Sequence, residues 1–221
     1  MSGGNVPRET SATTALRTAL EELLPPVLYR LITPFEQHYE LLIEWNQTHN
    51  LTRITAPAEA ASRHYLDALL PLLMKIPPDR AVDMGSGSGL PGLVAAALWP
   101  ESKVFLVEKS VKKVSFLKAV RARVKGVDIE PIHGRCEDIE PLEADLVVTR
   151  ATFQWDAVAE MARRHLVSGG FLLAYLGSES PGARQWSESV GRADLTSPEL
   201  ERYLLPPDQA VRHLAQAQRH I

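Results

Sequence analysis

The chain contains a single cysteine, Cys136, among 221 residues. One thiol excludes an intramolecular disulfide and leaves a thiolate metal cluster without a second sulfur ligand, so no metal centre is expected. No run of eighteen apolar residues is present, and a membrane-spanning helix is therefore not expected. The first ten residues lack the apolar core of a secretory signal, from which we expect a cytoplasmic protein.

The bulk composition is that of an ordinary globular protein, with 45% hydrophobic and 23% charged residues. The formal net charge of −3 does not indicate a nucleic-acid-binding protein, but the charge is unevenly distributed. Residues 109–125 contain seven basic side chains and no acidic one: Lys109, Lys112, Lys113, Lys118, Arg121, Arg123 and Lys125.

The first 76 residues have only helical patterns. One helix is predicted over 11–24, before a pair of prolines. A second begins with Thr33 as N-cap and Pro34 at the first helical position, and ends within 46–50. A third covers 58–75, with Pro71 expected to kink or divide it. We therefore predict a helical N-terminal extension over 1–76.

The remaining residues, 77–221, are predicted to form one α/β domain. Five short apolar runs predict strands, and helical stretches lie between most of them. This alternation indicates a mostly parallel sheet with helices on both faces. The predicted strands are 81–84, 104–107, 129–133, 146–149 and 171–175; the predicted helices are 90–99, 111–125 and 156–165, with a turn at 168–170. The pattern of the C-terminal residues predicts a hairpin of 203–205 with 211–217, or alternatively a helix over 208–218.

The first predicted strand runs into a glycine-rich loop containing Asp83, Gly85, Gly87 and Gly89. Glycine permits positive φ and close approach of backbone to a ligand, and the next helix presents its N-terminus to an anion. An acidic residue before three alternating glycines, followed by Leu90-Pro91, is typical of loops that bind S-adenosylmethionine. Gly87-x-Gly89-x-x-Gly92 also fits the dinucleotide fingerprint, so an NAD-dependent oxidoreductase is an alternative.

Three further side chains are candidates for the adenosine end of the cofactor. Glu108 closes the second predicted strand, where a carboxylate can accept hydrogen bonds from ribose hydroxyls; a solvated charge is the alternative. Cys136 and Glu137 follow the third strand and are placed to contact adenine. A plain acidic loop with a buried thiol is the alternative there.

Several motifs together resemble one family, the bacterial small-subunit ribosomal RNA guanine-N7 methyltransferases, also called glucose-inhibited division protein B. The resemblance covers roughly residues 36–177. It is carried by Trp45-Asn46, Asn50-Leu51-Thr52, Arg63-His64-Tyr65-Leu66-Asp67, the loop from Asp83 to Gly92, Lys112-Lys113-x-x-Phe116-Leu117, and Thr149-Arg150-Ala151.

The resemblance implies a class I, Rossmann-like methyltransferase with a seven-stranded sheet and a helical N-terminal extension. It implies methyl transfer from S-adenosylmethionine to N7 of a guanine in 16S rRNA of the small ribosomal subunit, with S-adenosylhomocysteine as product. The implied cofactor contacts are Gly85, Leu90, Cys136, Glu137 and Arg150. The residues implied to face the RNA are Asn50, Arg63, His64 and Asp67.

Guanine N7 carries a lone pair and no proton, so methyl transfer there needs no general base. We expect positioning to dominate, with Arg63 and Arg150 orienting the cofactor and the guanine or its phosphates. His64 is then a hydrogen-bonding or core residue. Together with Asp67, these three residues form the predicted catalytic group. For Asp67, an ordinary i,i+4 ion pair with Arg63 is the alternative.

Lys109, Lys112 and Lys113 are candidates for phosphate contact, with a solvated helix face as the alternative. Tyr65, Phe153 and Trp155 could stack on a base or belong to the core.

Two residues depart from the family pattern: Ala68 replaces a serine, and Leu176-Gly177 replaces Lys-Gly. The second change removes a cation expected near the RNA. A methyltransferase for a protein or small molecule and a noncatalytic RNA-binding protein are further alternatives. We expect a monomer.

Overall fold

The computed structural model describes residues 11–150, 154–178 and 182–220. A 3₁₀ segment, Pro26–Leu31, joins the first two helices, and a π-helical segment, Ala61–Leu66, joins the third to the fourth. The helices before the first strand are α1 (Ser11–Leu23), α2 (Ile32–His49), α3 (Pro57–Ala60) and α4 (Asp67–Leu72). The prediction of helices only in this region is confirmed for the described residues.

The described residues after α4 alternate between strands and helices before ending in a hairpin. The strands are β1 (Arg80–Met84), β2 (Lys103–Glu108), β3 (Ile129–His133), β4 (Ala144–Thr149), β5 (Leu166–Leu176), β6 (Leu195–Leu205) and β7 (Ala210–Arg219). The helices are α5 (Gly92–Leu98), α6 (Val111–Arg123), α7 (Trp155–His165) and α8 (Ala183–Arg192). The predicted strands and the tail hairpin are confirmed, and the helical alternative for the tail is wrong.

The strands form one seven-stranded sheet in the order β3-β2-β1-β4-β5-β7-β6. Strands β1 to β5 pair in parallel, whereas β7 runs antiparallel to both β5 and β6. The strand order reverses between β1 and β4. In open α/β sheets, the carboxyl ends of the strands at such a switch point form the ligand crevice.

Side chains of the parallel strands alternate between two apolar clusters, one on each face of the sheet. Along β2, Val104 and Leu106 join the first cluster, whereas Phe105 and Val107 join the second. The first cluster also contains apolar side chains of α1, α2 and α4, so the N-terminal helices share a core with the sheet. The second contains side chains of α7 and α8.

Several local predictions are wrong. Thr33 is not an N-cap, because α2 begins at Ile32 and its cap is Leu31. The predicted turn at 168–170 lies inside β5, where Gly169 adopts a φ of +78° and the pairing with β4 shifts register. Helix α8 has no counterpart among the predicted helices.

No described helix is both long enough and apolar enough to cross a membrane.

Candidate active site at the carboxyl ends of the strands

The loop after β1 is built on glycine backbone conformations. Gly85, Gly87 and Gly89 have φ values of +69°, +57° and +90°, which residues with a Cβ atom rarely adopt. The Gly85 and Ser86 N–H groups donate to the Val107 carbonyl, and the Gly89 N–H donates to the Ser86 carbonyl. These amides stabilise the loop itself, so contacts to a ligand carboxylate would fall to other loop amides.

Asp83 supports this loop from the end of β1. It is fully buried, and its Oδ2 accepts a hydrogen bond from the Gly92 N–H at 2.7 Å. A Cβ on Gly92 would lie 2.2 Å from Leu106 Cδ2 and 2.9 Å from Asp83 Cβ, so only glycine fits there. Among the described residues, the buried Oδ1 of Asp83 has no hydrogen-bond partner.

Burial raises the pKa of Asp83 to about 7, although the Gly92 N–H and the charge of Arg150 act in the opposite direction. A buried carboxylate with one unused oxygen favours a cationic ligand, which would supply the missing hydrogen bond and lower the pKa.

Glu108 links the ends of the second strand and the glycine loop. Its Oε2 accepts from the Gly87 N–H at 3.0 Å, and its Oε1 accepts from the Ser110 N–H at 2.8 Å. Each carboxylate oxygen has a second lone pair available for a ligand hydroxyl. The side chain is therefore a fixed, buried acceptor rather than a solvated strand-end charge.

The predicted adenine contacts differ in exposure. Cys136 is buried, and burial raises the pKa of its thiol to about 12, so it is an unreactive apolar wall. Its carbonyl accepts a hydrogen bond from His165 Nε2–H at 2.8 Å. Glu137 is exposed and lies 3.3 Å from Arg135 in an ion pair. A cavity of about 630 Å³ beside it is also lined by side chains of α7.

A second cavity, of about 590 Å³, lies between the glycine loop and the N-terminal helices. It brings together residues from both halves of the chain that were predicted to belong to the functional site. Its lining residues are Leu51, Thr52, Ile54, Arg63, His64, Asp67, Gly85, Ser86, Gly87, Ser88, Leu90, Lys113, Arg150 and Arg212. We call this space the central cavity.

Asp67 is the acidic centre of a charged cluster in this cavity. Its carboxylate oxygens lie 3.7 Å from Arg150 Nη1 and 3.5 Å from Arg212 Nε, and one accepts a hydrogen bond from Tyr203 Oη at 2.9 Å. Burial raises the pKa of Asp67, while Arg150, Tyr203 and Arg212 oppose that shift. The carboxylate thus positions two guanidinium groups beside the glycine loop.

The alternative of an Arg63–Asp67 ion pair is wrong. Arg63 instead pairs with Glu59 at 3.0 Å and with Asp208 at 3.9 Å. Each side chain has other partners, since Asp67 is engaged by Arg150, Arg212 and Tyr203.

His64 lines the cavity as a neutral side chain. Its Nε2 lies 3.0 Å from Thr52 Oγ1, and burial together with the nearby Arg150 charge lowers its pKa to about 3. Its buried Nδ1 has no partner among the described residues. So weak a base is unsuited to proton abstraction, in agreement with the hydrogen-bonding interpretation.

His38, which is not among the predicted site residues, supports the loop. Its Nε2 lies 2.8 Å from the Ser88 carbonyl, and its Nδ1 lies 2.9 Å from Tyr65 Oη. A carbonyl only accepts, so Nε2 carries the proton and Nδ1 accepts from the tyrosine. Burial lowers the pKa of His38 to about 4, which keeps the ring neutral.

Of the remaining predicted RNA-side residues, only Lys113 lines the central cavity. Asn50 is exposed and caps α2 in the left-handed conformation, with a φ of +47°. Lys109 and Lys112 are exposed near the start of α6, whereas Lys113 is half-buried and lines the cavity. In the same basic run, Arg121 pairs with Glu130 and Arg123 pairs with Glu44.

The aromatic candidates belong to packed clusters where they are described. Tyr65 is fully buried and stacks on Phe35, with ring centroids 4.7 Å apart, so the core interpretation is confirmed for it. Trp155 packs edge-on against Trp186. Phe153 lies outside the described residues.

Within the described parts of the chain, no three His, Cys, Asp or Glu side chains are grouped as a metal site would require.

Comparison with known proteins gives a consistent result. Residues 31–190 match the model of the GidB family, described as rRNA small subunit methyltransferase G. A ribosomal RNA small subunit methyltransferase G from Anaeromyxobacter dehalogenans is 37% identical over 210 residues, covering 93% of this chain and 96% of the relative. A protein of the same name from Streptococcus pneumoniae is 32% identical, covering 66% and 65% respectively.

Solved structures show the same fold at low identity. A SAM-dependent methyltransferase from Methanosarcina mazei superposes with a TM-score of 0.56 at 11% identity, covering 69% of this chain and 97% of that one. A methyltransferase from Pyrococcus furiosus gives a TM-score of 0.54 at 15% identity, covering 64% and 75%. The predicted class I methyltransferase fold, with its seven-stranded sheet and helical N-terminal region, is confirmed.

Proposed function

The chain belongs to the rRNA small subunit methyltransferase G family, and on that premise we propose that it transfers a methyl group from S-adenosylmethionine to N7 of a guanine in 16S rRNA. One observation carries the proposal: the glycine loop, held by Asp83 and Glu108, opens directly onto a cavity lined by four cationic side chains. These are Arg63, Lys113, Arg150 and Arg212.

The residues around the loop fit S-adenosylmethionine, which supplies an electrophilic methyl group when bound. The unpartnered Oδ1 of Asp83 would accept from the amino group, and Glu108 would accept from the ribose hydroxyls. Gly85, Gly87, Gly89 and Leu90 would contact the cofactor through the loop. Cys136 would provide an apolar wall for adenine, with Glu137 at its exposed rim.

The side chains of the central cavity would act by positioning. Guanine N7 needs no deprotonation, and the low pKa of His64 agrees with a role that involves no proton transfer. Arg150, paired with Asp67, would orient the guanine or its phosphate while leaving N7 free. Orientation of this kind can supply on the order of 7 to 11 kcal/mol of a barrier.

The other cations would bind the RNA backbone. Arg63 and Lys113 line the cavity, and Lys109 and Lys112 extend positive charge onto the exposed start of α6. Affinity for RNA depends largely on neutralising phosphates, which such a surface would do. Asn50, at the exposed end of α2, is proposed as a further RNA contact.

The decisive experiment compares methyl transfer to isolated small ribosomal subunits, to naked 16S rRNA and to unrelated RNA, with 7-methylguanosine detected by mass spectrometry. We expect transfer to one guanine of 16S rRNA, and loss of that modification in cells lacking the protein. Unmodified rRNA in both experiments would contradict the proposal. A thermal shift with NADH but not with S-adenosylhomocysteine would instead support the dinucleotide alternative.

The division into an extension over 1–76 and a domain over 77–221, the monomeric state and the cytoplasmic localisation stay predictions. Size-exclusion chromatography with light scattering tests the monomeric state directly.

A further inference from the structure

The C-terminal hairpin brings an arginine to the central cavity from far along the chain. Strand β7 runs antiparallel to β5, and His213 pairs with Leu176 at the carboxyl end of β5. The preceding residue, Arg212, therefore lies at the same edge of the sheet as the glycine loop. Its side chain is only 15% exposed and lines the cavity.

Leu176 itself does not line the central cavity. Leu176 is 8% exposed and packs in the apolar cluster on the second face of the sheet. The cation expected at that position from the family pattern is absent, but Arg212 places a guanidinium at the same end of the strand.

Tyr203 and Arg212 form a cross-strand pair that reaches Asp67 together. They are directly opposite in the β6–β7 register, so their side chains lie on one face of the hairpin. Tyr203 Oη lies 2.9 Å and Arg212 Nε 3.5 Å from the same Asp67 oxygen. The hairpin is thereby held against α4, and the orientation of Arg212 is fixed.

The charges around Asp67 do not balance. Among the ion pairs of the described residues, Arg150 and Arg212 share this one carboxylate, whereas Arg63 pairs with both Glu59 and Asp208. Two guanidinium groups with one acid leave an excess positive charge in a partly desolvated site, where an anion would bind strongly. Arg212 donates one further hydrogen bond to the Val211 carbonyl, and a guanidinium has five N–H donors in all.

We propose that Arg212, together with Arg150, binds a phosphate group of the target RNA, with Asp67 and Tyr203 holding the two guanidinium groups in place. This inference rests on the proposed rRNA substrate and assigns the phosphate contact within it. Arg212 is thus an RNA ligand supplied by the hairpin, and cofactor binding does not depend on it.

The test uses Arg212→Gln and Arg212→Lys in the full chain, with Arg202→Gln as the matched control. Arg202 is exposed on the same hairpin, pairs with His213 and does not line the cavity, so its removal changes net charge equally. Binding of 16S rRNA is measured over a salt series, S-adenosylhomocysteine binding by calorimetry, and methyl transfer by KM and kcat.

We expect Arg212→Gln to weaken RNA binding about tenfold and to reduce the slope of log affinity against log salt by about 0.7. Arg212→Lys should keep the slope while losing part of the affinity, because a lysine retains the charge without the planar fork. S-adenosylhomocysteine affinity should be unchanged in every variant. Arg202→Gln should resemble wild type.

A purely structural role for Arg212 makes a different prediction. If Arg212 served only to neutralise the charge of Asp67, Arg212→Gln would have no further effect once Asp67 is Asn. The Asp67→Asn/Arg212→Gln double variant would then recover the RNA affinity of the Asp67→Asn variant. Recovery of that kind, or equal effects of Arg212→Gln and Arg202→Gln, overturns the inference. Absence of methyl transfer by the wild type would instead overturn the proposed function, and the salt series on RNA binding distinguishes the two failures.

Discussion

The Nε2–H of His38 donates to the carbonyl oxygen of Ser88 over 2.8 Å and so connects helix α2 to the glycine loop. The other ring nitrogen accepts from Tyr65, which adjoins the cavity residue His64. One buried, neutral imidazole therefore joins the N-terminal helices, the glycine loop and the π-helical segment.

Replacing His38 by Phe should destabilise the protein and weaken cofactor binding. The change leaves the Ser88 carbonyl and the Tyr65 hydroxyl without their partner, at a cost of about 1 to 3 kcal/mol for each buried group. Chemical denaturation and S-adenosylhomocysteine calorimetry measure both effects. Tyr65→Phe, which keeps the bond to Ser88, should have the smaller effect on affinity; the reverse order would contradict a role of His38 in holding the loop.

Cofactor binding should depend on pH through Asp83. With a pKa of about 7 in the cofactor-free protein, this carboxyl must lose a proton before it can pair with a cationic amino group. Affinity for S-adenosylhomocysteine should therefore fall as pH drops below about 7, approaching tenfold per pH unit. Calorimetry between pH 5.5 and 8 measures the trend, with Asp83→Asn expected to be weaker and nearly independent of pH; a wild-type profile equally flat would contradict the assignment.

The same carboxyl should affect stability with the opposite sign to an ordinary ion-paired acid. Its pKa is higher in the folded protein than the usual 3.8, so the folded state holds a proton that the unfolded chain releases. Its contribution to the free energy of unfolding is complete below about pH 4 and is lost as pH rises towards 7. Subtracting the unfolding profile of Asp83→Asn from that of the cofactor-free wild type should reveal this loss.

Gly92 should tolerate no side chain. An added methyl group would meet Leu106 and Asp83 well inside contact distance, so Gly92→Ala should cost roughly 1 to 3 kcal/mol and displace the Asp83 carboxylate. Gly191→Ala is the matched control, because that glycine lies in α8 with open space around it and should gain about 0.5 to 1 kcal/mol. Equal thermal stabilities of the Gly92→Ala and Gly191→Ala variants would contradict the close packing around Gly92.

Reversing charge at the start of α6 should weaken RNA binding without altering cofactor affinity. Lys112→Glu combined with Lys113→Glu should reduce both the affinity for 16S rRNA and its salt dependence. Lys118→Glu combined with Lys125→Glu changes the net charge equally on exposed residues further along the basic run. Indistinguishable binding by the two double variants would indicate a general effect of charge rather than a local contact.

The sheet and the glycine loop could be predicted from the sequence because both depend on local patterns. A continuous apolar run over 104–107 predicted β2, and in the structure Val104 and Leu106 lie on one face of the sheet and Phe105 and Val107 on the other. The positions of Gly85, Gly87 and Gly89 predicted a loop requiring positive φ, and all three adopt it. Asp83 and Glu108 were predicted from the same local pattern, since each lies within the last two residues of a strand beside that loop.

Which charges meet in the central cavity depends instead on tertiary packing. Spacing suggested an Arg63–Asp67 pair, but Arg63 pairs with Glu59 and Asp208, whereas Asp67 pairs with Arg150 and Arg212. Neither the hairpin arginine nor His38 carries a local signal of its role, because each depends on which distant backbone lies beside it. Local sterics and hydrophobic periodicity are encoded over a few residues, whereas these ion pairs and hydrogen bonds arise only when the whole core has packed.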